Sequence, residues 1–158
     1  GWDERWEEFS EWAEKGQYYK TALLKSVDED TDAFNKIMTA FGLPKSNNEE
    51  KTARNQAIQD ATKNAIDVPF KVMKLSFEAM EVIKAMAEIG NPNSVSDAGV
   101  GALAARSAVM GAFLNVKINA GGLDDKSYIE EVLKKGNEIE QQTIKLEKEI
   151  LEIVNAKI

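Results

Sequence analysis

An all-α fold, a bundle of about four to five long helices, is what this sequence predicts, and three observations carry the prediction. Apolar residues recur at steps of three and four through four long stretches, as in helices that bury one face. Those stretches are divided by clusters of glycine, proline and asparagine at Gly42-Leu43-Pro44, Gly90-Asn91-Pro92-Asn93 and Ala120-Gly121-Gly122, residues that end helices. The 158 residues are 43% hydrophobic and 30% charged, a composition that supplies one packed core and lies far from that of disordered chains.

The first stretch, Trp2 to Phe41, places Trp2, Trp6, Phe9, Ala13, Tyr19, Leu23, Val27, Phe34, Ile37 and Phe41 on one stripe. A polar turn, Lys45-Ser46-Asn47-Asn48, leads to the second, from about Glu49 to Ile89, in which Pro69 predicts a kink or a split in two because proline lacks the backbone N–H. Ser94 reads as the N-cap of the third helix, with Asp97 three residues on. That helix is rich in alanine and glycine from Ala98 to Ala112, which allows close backbone approach and predicts the central position in the bundle. The fourth runs from about Asp125 to the end.

Composition also excludes functions. The chain contains no cysteine and no histidine, which removes disulfides, thiolate chemistry, the usual zinc sites and histidine acid–base catalysis, so no metal site is predicted. A formal charge of −7 repels phosphate backbones, and nucleic acid is not an expected partner. The opening residues have neither the basic start nor the apolar stretch of a secretory signal. Val95 to Ile118 contains Asp97, Arg106, Asn115 and Lys117, read as too polar for a membrane span. The cytoplasm is the default location.

Two motifs fail on inspection. Asp28, Asp30 and Asp32 open like a calcium loop, but Ala33 stands where the loop needs glycine and Thr39 where it needs glutamate. Gly99-Val100-Gly101-Ala102-Leu103-Ala104 fits a dinucleotide fingerprint without the strand that must precede it, and reads as close helix packing. The aromatic set Trp2, Trp6, Phe9 and Trp12 reads as core or interface. Asp30 is more informative, because helical phase sets it between Val27 and Phe34 in the apolar stripe. Either it reaches solvent at a groove, or it is a carboxylate with a task. Asp97, Gly101, Ala104, Ala108, Asn115 and Asn119 share a face of the third helix, as capping groups or as polar ends of a small-residue floor. Arg106 interrupts the same helix, reaching solvent, a partner carboxylate or an anionic ligand.

The run Asn91-Pro92-Asn93-Ser94-Val95-Ser96-Asp97-Ala98-Gly99-Val100-Gly101, continued by Leu114-Asn115-Val116-Lys117-Ile118-Asn119, resembles the cyclodeaminase family of formiminotransferase-cyclodeaminase. So do the Asp30 to Phe34 element with Leu43-Pro44-Lys45, and the alanine-rich stretch from Ala57 to Val68-Pro69. The resemblance implies one cyclodeaminase-like helical domain over residues 1–158, dimeric or larger. It also implies conversion of 5-formiminotetrahydrofolate to 5,10-methenyltetrahydrofolate and ammonia in histidine breakdown. A tetrahydrofolate derivative is then the substrate, no separate cofactor is needed, and a formiminotransferase domain or protein is a further partner. With the folate N10 attacking the formimino carbon, the protein must move protons and support a delocalised cation. Asp30 and Asp97 are the implied catalytic groups. Asn91, Asn93, Asn115 and Asn119 are the pterin hydrogen-bonding candidates, and Arg106, Lys117 and Lys45 the candidates for the glutamate tail. Two alternatives stand beside it: methenyltetrahydrofolate cyclohydrolase activity, and a helical oligomerisation module without chemistry. The family opens with a serine-proline-x-proline-glycine-glycine-glycine-serine segment that does not precede Trp2. Relative to it the domain is N-terminally incomplete, and the expectation is an oligomeric, weakly active chain with an exposed apolar strip.

Overall fold

The structure, a computed structural model, describes residues 2–158, with side-chain surroundings from Glu4 onward; the side chain of Trp2, one of the aromatic set, lies outside the described residues. Four long helices follow one another: α1 Trp6–Phe41, α2 Asn48–Ile89, α3 Val95–Ala120 and α4 Lys126–Asn155. Short 3₁₀ turns precede α1 (Trp2–Arg5) and α3 (Pro92–Ser94), and no strand occurs among the described residues. The predicted all-α bundle is therefore present.

Local chemistry explains the ends. Arg5 grips Glu8 with Nε and an Nη at 2.8 and 3.0 Å, and Glu7 and Glu8 in the first turn of α1 suit its positive pole. At the other end Gly42 donates its N–H to the carbonyls of Met38 and Thr39. Asn47 caps α2 by accepting from the Glu50 N–H at 2.8 Å, and the Glu50 carboxylate reaches back to the Ser46 N–H at 2.7 Å, so two orphan donors are satisfied reciprocally. Asp125 does the same service for Tyr128 N–H at the start of α4. Ser94 stands at the N-cap of α3 as predicted, but its side chain makes no capping bond; the cap chemistry sits one turn earlier, where Asn91 Oδ1 accepts from Asn93 N–H at 3.0 Å.

Three expectations change. Pro69 does not split α2, which runs unbroken through it for 42 residues, roughly 60 Å. The central helix is α2, which packs on α1, α3 and α4, whereas among the long helices α3 packs on α2 and α4 and not on α1. The large residues of α1 do not form its buried face: Val27, Phe34 and Phe41 are 64%, 61% and 53% exposed, and Ser26, Ala33 and Ala40 are buried instead. Small side chains seven residues apart let α1 lie close along α2, where pattern reading sees only bulk.

The core proper lies between α2, α3 and α4, in one cluster around Phe113, Ile66, Met73 and Val132 and another around Met80, Ala102, Ile150 and Val154. Close approach is built in at Gly99, where a Cβ would stand 3.3 Å from Val154, and at Gly136, against the Phe113 ring. Glu147, in the acid-rich end of α4, is nevertheless 7% exposed and paired with Arg106. By length and composition Pro92–Ala120 is apolar enough to cross a membrane, so Asp97, Arg106, Asn115 and Lys117 exclude less than expected from the sequence. Its window is 28% buried, and Val100, Leu103, Leu114 and Ile118 form an exposed strip down its outer side.

Candidate functional site

Because α1 and α3 both pack on α2 and do not touch one another, a channel runs between them. Its floor is α2, through Ala65, Pro69 and Val72, and its walls carry Leu23, Val27, Asp30, Thr31 and Phe34 from α1 and Ala108, Gly111, Asn115 and Asn119 from α3. Two adjoining cavities of about 390 and 400 Å³ share Asp30, Thr31 and Asn115. The lining thus mixes apolar side chains with one carboxylate, the Thr31 hydroxyl and two amides.

Asp30 is exposed at the channel wall, not held in the core. It has no hydrogen bond or ion pair among the described residues. Its neighbour Glu29 is neutralised by Lys71 Nζ at 2.7 Å, with Lys25 further off at 3.8 Å, and the Lys71 hydrogen bond holds the Glu29 carboxyl below its ordinary range. Among the described residues Asp28 and Asp32 also lack a cation, and of these three acids Asp30 is the one that lines the channel. Across the channel, Asn119 Nδ2 donates to the Ala65 carbonyl at 2.7 Å and to Asn115 Oδ1 at 3.3 Å.

Asp30, Asn115 and Asn119 are therefore brought together, although they come from helices that never meet. The other predicted residues are elsewhere. Asp97 and Asn91 line a separate cavity of about 400 Å³ with Val82, Met86 and Ser94. Eighteen residues of helix separate Asp97 from Asn115, about 27 Å, so within one chain Asp30 and Asp97 cannot serve the same reacting atom. Asn93 is exposed beside Asn91. Arg106 faces α4, its Nε 3.3 Å and an Nη 3.4 Å from the Glu147 carboxylate, which makes it an internal partner and takes it out of the channel. Lys117 lies over the Phe113 ring at 3.8 Å, and Lys45 is exposed in the turn after α1; neither lines the channel. Asp28 and Asp32 are exposed on α1, and among the described residues no three acidic side chains are grouped to hold a metal ion. Thr31 and Pro69 are channel residues the sequence did not flag. Pro69 was legible as a helix anomaly, which is one signal that points to a site.

The chemistry this arrangement offers is that of an acceptor carboxylate facing amide groups in a partly apolar trough. It suits a ligand that carries positive charge and hydrogen-bonding groups.

The chain is similar to several known proteins. A methenyltetrahydrofolate cyclohydrolase from Methylorubrum extorquens is 39% identical over 145 residues, covering 92% of this chain and 70% of that protein. Formimidoyltransferase-cyclodeaminases from Dictyostelium discoideum and Gallus gallus are 35% and 37% identical, over 80% and 67% of this chain but only 22% and 20% of theirs. The chain thus spans most of the first relative and about a fifth of the other two. The fold matches the crystal structure of a formiminotetrahydrofolate cyclodeaminase from Thermotoga maritima with a TM-score of 0.84 at 23% identity, over 99% of this chain and 74% of that one. A sequence profile described as formiminotransferase-cyclodeaminase matches residues 1–138, and with these relatives it shows that the chain belongs to the formiminotransferase-cyclodeaminase family.

Proposed function

We propose that this chain acts on the one-carbon unit carried between two nitrogens of a reduced folate, and that the α1–α3 channel binds it. The observation that carries the proposal is the meeting of Asp30, Asn115 and Asn119 in a channel, together with relatives named for reactions at that carbon. The two named reactions share a carbon bonded to both folate nitrogens and to one departing or arriving group. In the hydrolytic reaction, water adds to the methenyl carbon, one carbon–nitrogen bond breaks, and a formyl group and a proton result. In the cyclodeaminase reaction the second folate nitrogen attacks the formimino carbon and ammonia leaves. Both need a proton acceptor and support for a delocalised cation, roles that fit an unpaired Asp30 carboxylate.

The cyclohydrolase reading has the longer match, since similarity to that relative covers 92% of this chain. The cyclodeaminase reading implied by the sequence motifs is favoured by the family profile. Offering the purified chain 5,10-methenyltetrahydrofolate and 5-formiminotetrahydrofolate separately distinguishes them: loss of the methenyl chromophore supports hydrolysis, and ammonia release supports deamination. Neither product forming above the uncatalysed rate overturns the proposal.

The working form is proposed to be a pair of copies. Along the exposed strip of α3 the order is Val100, Leu103, Ser107, Gly111, Leu114, Ile118, large at both ends and small in the middle. An antiparallel second copy therefore meets it in kind, Val100 opposite Ile118 and Ser107 opposite Gly111, as a two-fold contact requires. The same register brings Asp97 of the second copy towards Asn119, which supplies a route for Asp97 into the channel that a single chain lacks.

A further inference from the structure

Pro69 lies inside α2 and is buried. In a helix the N–H of residue 69 bonds the carbonyl of residue 65, and proline has no N–H to give. The carbonyl of Ala65, a residue 7% exposed, is left without a helical partner, a costly state for a buried acceptor. Its partner comes from another helix: Asn119 Nδ2 donates to it at 2.7 Å.

This contact has a direction. A carbonyl oxygen only accepts, so the Asn119 group facing it is the NH₂ and not the oxygen. That NH₂ also donates to Asn115 Oδ1 at 3.3 Å, so Asn115 turns its oxygen towards Asn119. Its own NH₂, which has no partner among the described residues, is left on the channel side opposite Asp30. We propose that Pro69 is a positioning residue: by withholding one N–H from α2 it creates the acceptor that orders the Asn119 and Asn115 amides, and so fixes Asn115 as an N–H donor towards a ligand acceptor in the channel. The elements Ala57 to Pro69 and Leu114 to Asn119, far apart in sequence, share this hydrogen bond in addition to their packing in the core. The claim that the donor serves a folate rests on the proposed function; the claim that Pro69 orders the amides does not.

The test is a double-mutant cycle in the whole chain with Pro69→Ala and Asn119→Ala, read by urea unfolding at fixed protein concentration. With proline present, Asn119→Ala orphans the Ala65 carbonyl and raises the unfolding equilibrium constant about tenfold or more. With Pro69→Ala, the new N–H at residue 69 takes the carbonyl, and the same change is expected to cost about threefold or less, the difference being the coupling. Pro69→Ser, which also restores the N–H, gives the same comparison should the alanine variant misfold. Equal costs in both backgrounds would overturn the link between Pro69 and Asn119. Positioning is read separately, from the side-chain amide proton signals of Asn115 by NMR and from folate kinetics. Pro69→Ala is expected to move those signals and to raise KM about tenfold with a smaller change in kcat. Coupling with unmoved Asn115 signals would overturn the positioning role. A wild-type chain that turns over no folate would refute the folate reading alone, with the amide signals still deciding the role of Pro69.

Discussion

Replacing Gly136 with alanine tests the packing that holds the channel floor in place. A Cβ built at Gly136 runs into Phe113 Cε2 and stands 2.8 Å from Cδ2 and Cζ, where ordinary carbon contacts lie at about 3.5–4.0 Å. Either the ring or the α3–α4 spacing must give by more than about 1 Å. Phe113 is fully buried among Ile66, Met73, Val109 and Val116, so the ring has no free space to enter. Such overpacking costs about 1–3 kcal/mol, and the severity of this contact places it at the top of the range. The helix-propensity gain of alanine over glycine, about 1 kcal/mol, offsets part of it. A net loss of about 2 kcal/mol follows, lowering Tm by about 4–8 °C for a domain of this size. Gly16→Ala is the matched control, because its Cβ meets only Val82 Cγ1 at 3.7 Å and it should gain about 0.5–1 kcal/mol. Thermal unfolding by far-UV circular dichroism, all variants at one concentration, reads both. A Gly136→Ala chain as stable as the parent would refute the close approach of α3 and α4 at Phe113.

Four further outcomes are expected. Arg106→Ala leaves the buried Glu147 carboxylate unpaired and should cost about 2 kcal/mol in urea unfolding, below the usual range because the guanidinium is 39% exposed; folate KM should stay within about threefold, since Arg106 is outside the channel. The Tyr128 hydroxyl is pushed well above its ordinary pKa, first by burial and then by its hydrogen bond to Asp67. A raised pKa means that its stabilisation is complete below the unfolded value of about 10 and fades as pH rises beyond it, so Tyr128→Phe should flatten the alkaline fall in stability seen in pH-resolved unfolding. In the cysteine-free chain, Ser107→Cys and Gly111→Cys variants mixed under oxidation should cross-link to each other in preference to themselves, as the antiparallel α3 register demands. If Asp97 completes the partner copy's channel, Asp97→Asn alone should be inactive, and unfolding and refolding it together with Asp30→Asn should restore about a quarter of wild-type activity, half the dimers having one intact site of two; no recovery would show that Asp97 does not complete a partner copy's channel, and an active Asp97→Asn chain would place it outside the reaction.

What could be read in advance was set by local chemistry. The stops at Gly42, Gly90 and Gly121-Gly122 act within a few residues, so they located the ends of α1, α2 and α3 closely. The face of α1 was misread because hydrophobic periodicity weights bulk, and the α1–α2 contact is made by Ser26, Ala33 and Ala40. Asp30 was singled out on the premise of a buried stripe; the stripe is exposed, yet the same phase puts the carboxylate at the channel wall. Of the kink or split that Pro69 predicts, α2 makes no split, and its orphaned acceptor is satisfied from α3 by Asn119, a long-range contact that no window of sequence contains. Asp97 is grouped with Asp30 because the implied chemistry needs carboxylates where histidine is absent, and helix length separates the two. Arg106 left open a choice of solvent, carboxylate or ligand, which the buried Glu147 of α4 decides.

The central claim is that Asp30 acts on the one-carbon unit of a folate bound in the α1–α3 channel, and turnover by Asp30→Asn tests it most directly. The substitution keeps shape and removes the charge of an exposed side chain, so far-UV circular dichroism and Tm should match the parent. Initial rates with 5,10-methenyltetrahydrofolate and with 5-formiminotetrahydrofolate should fall about a hundredfold or more in whichever reaction the parent catalyses, the usual scale for a positioned proton-transfer group. A parent chain that is active and an Asp30→Asn chain that matches its rate would contradict the account.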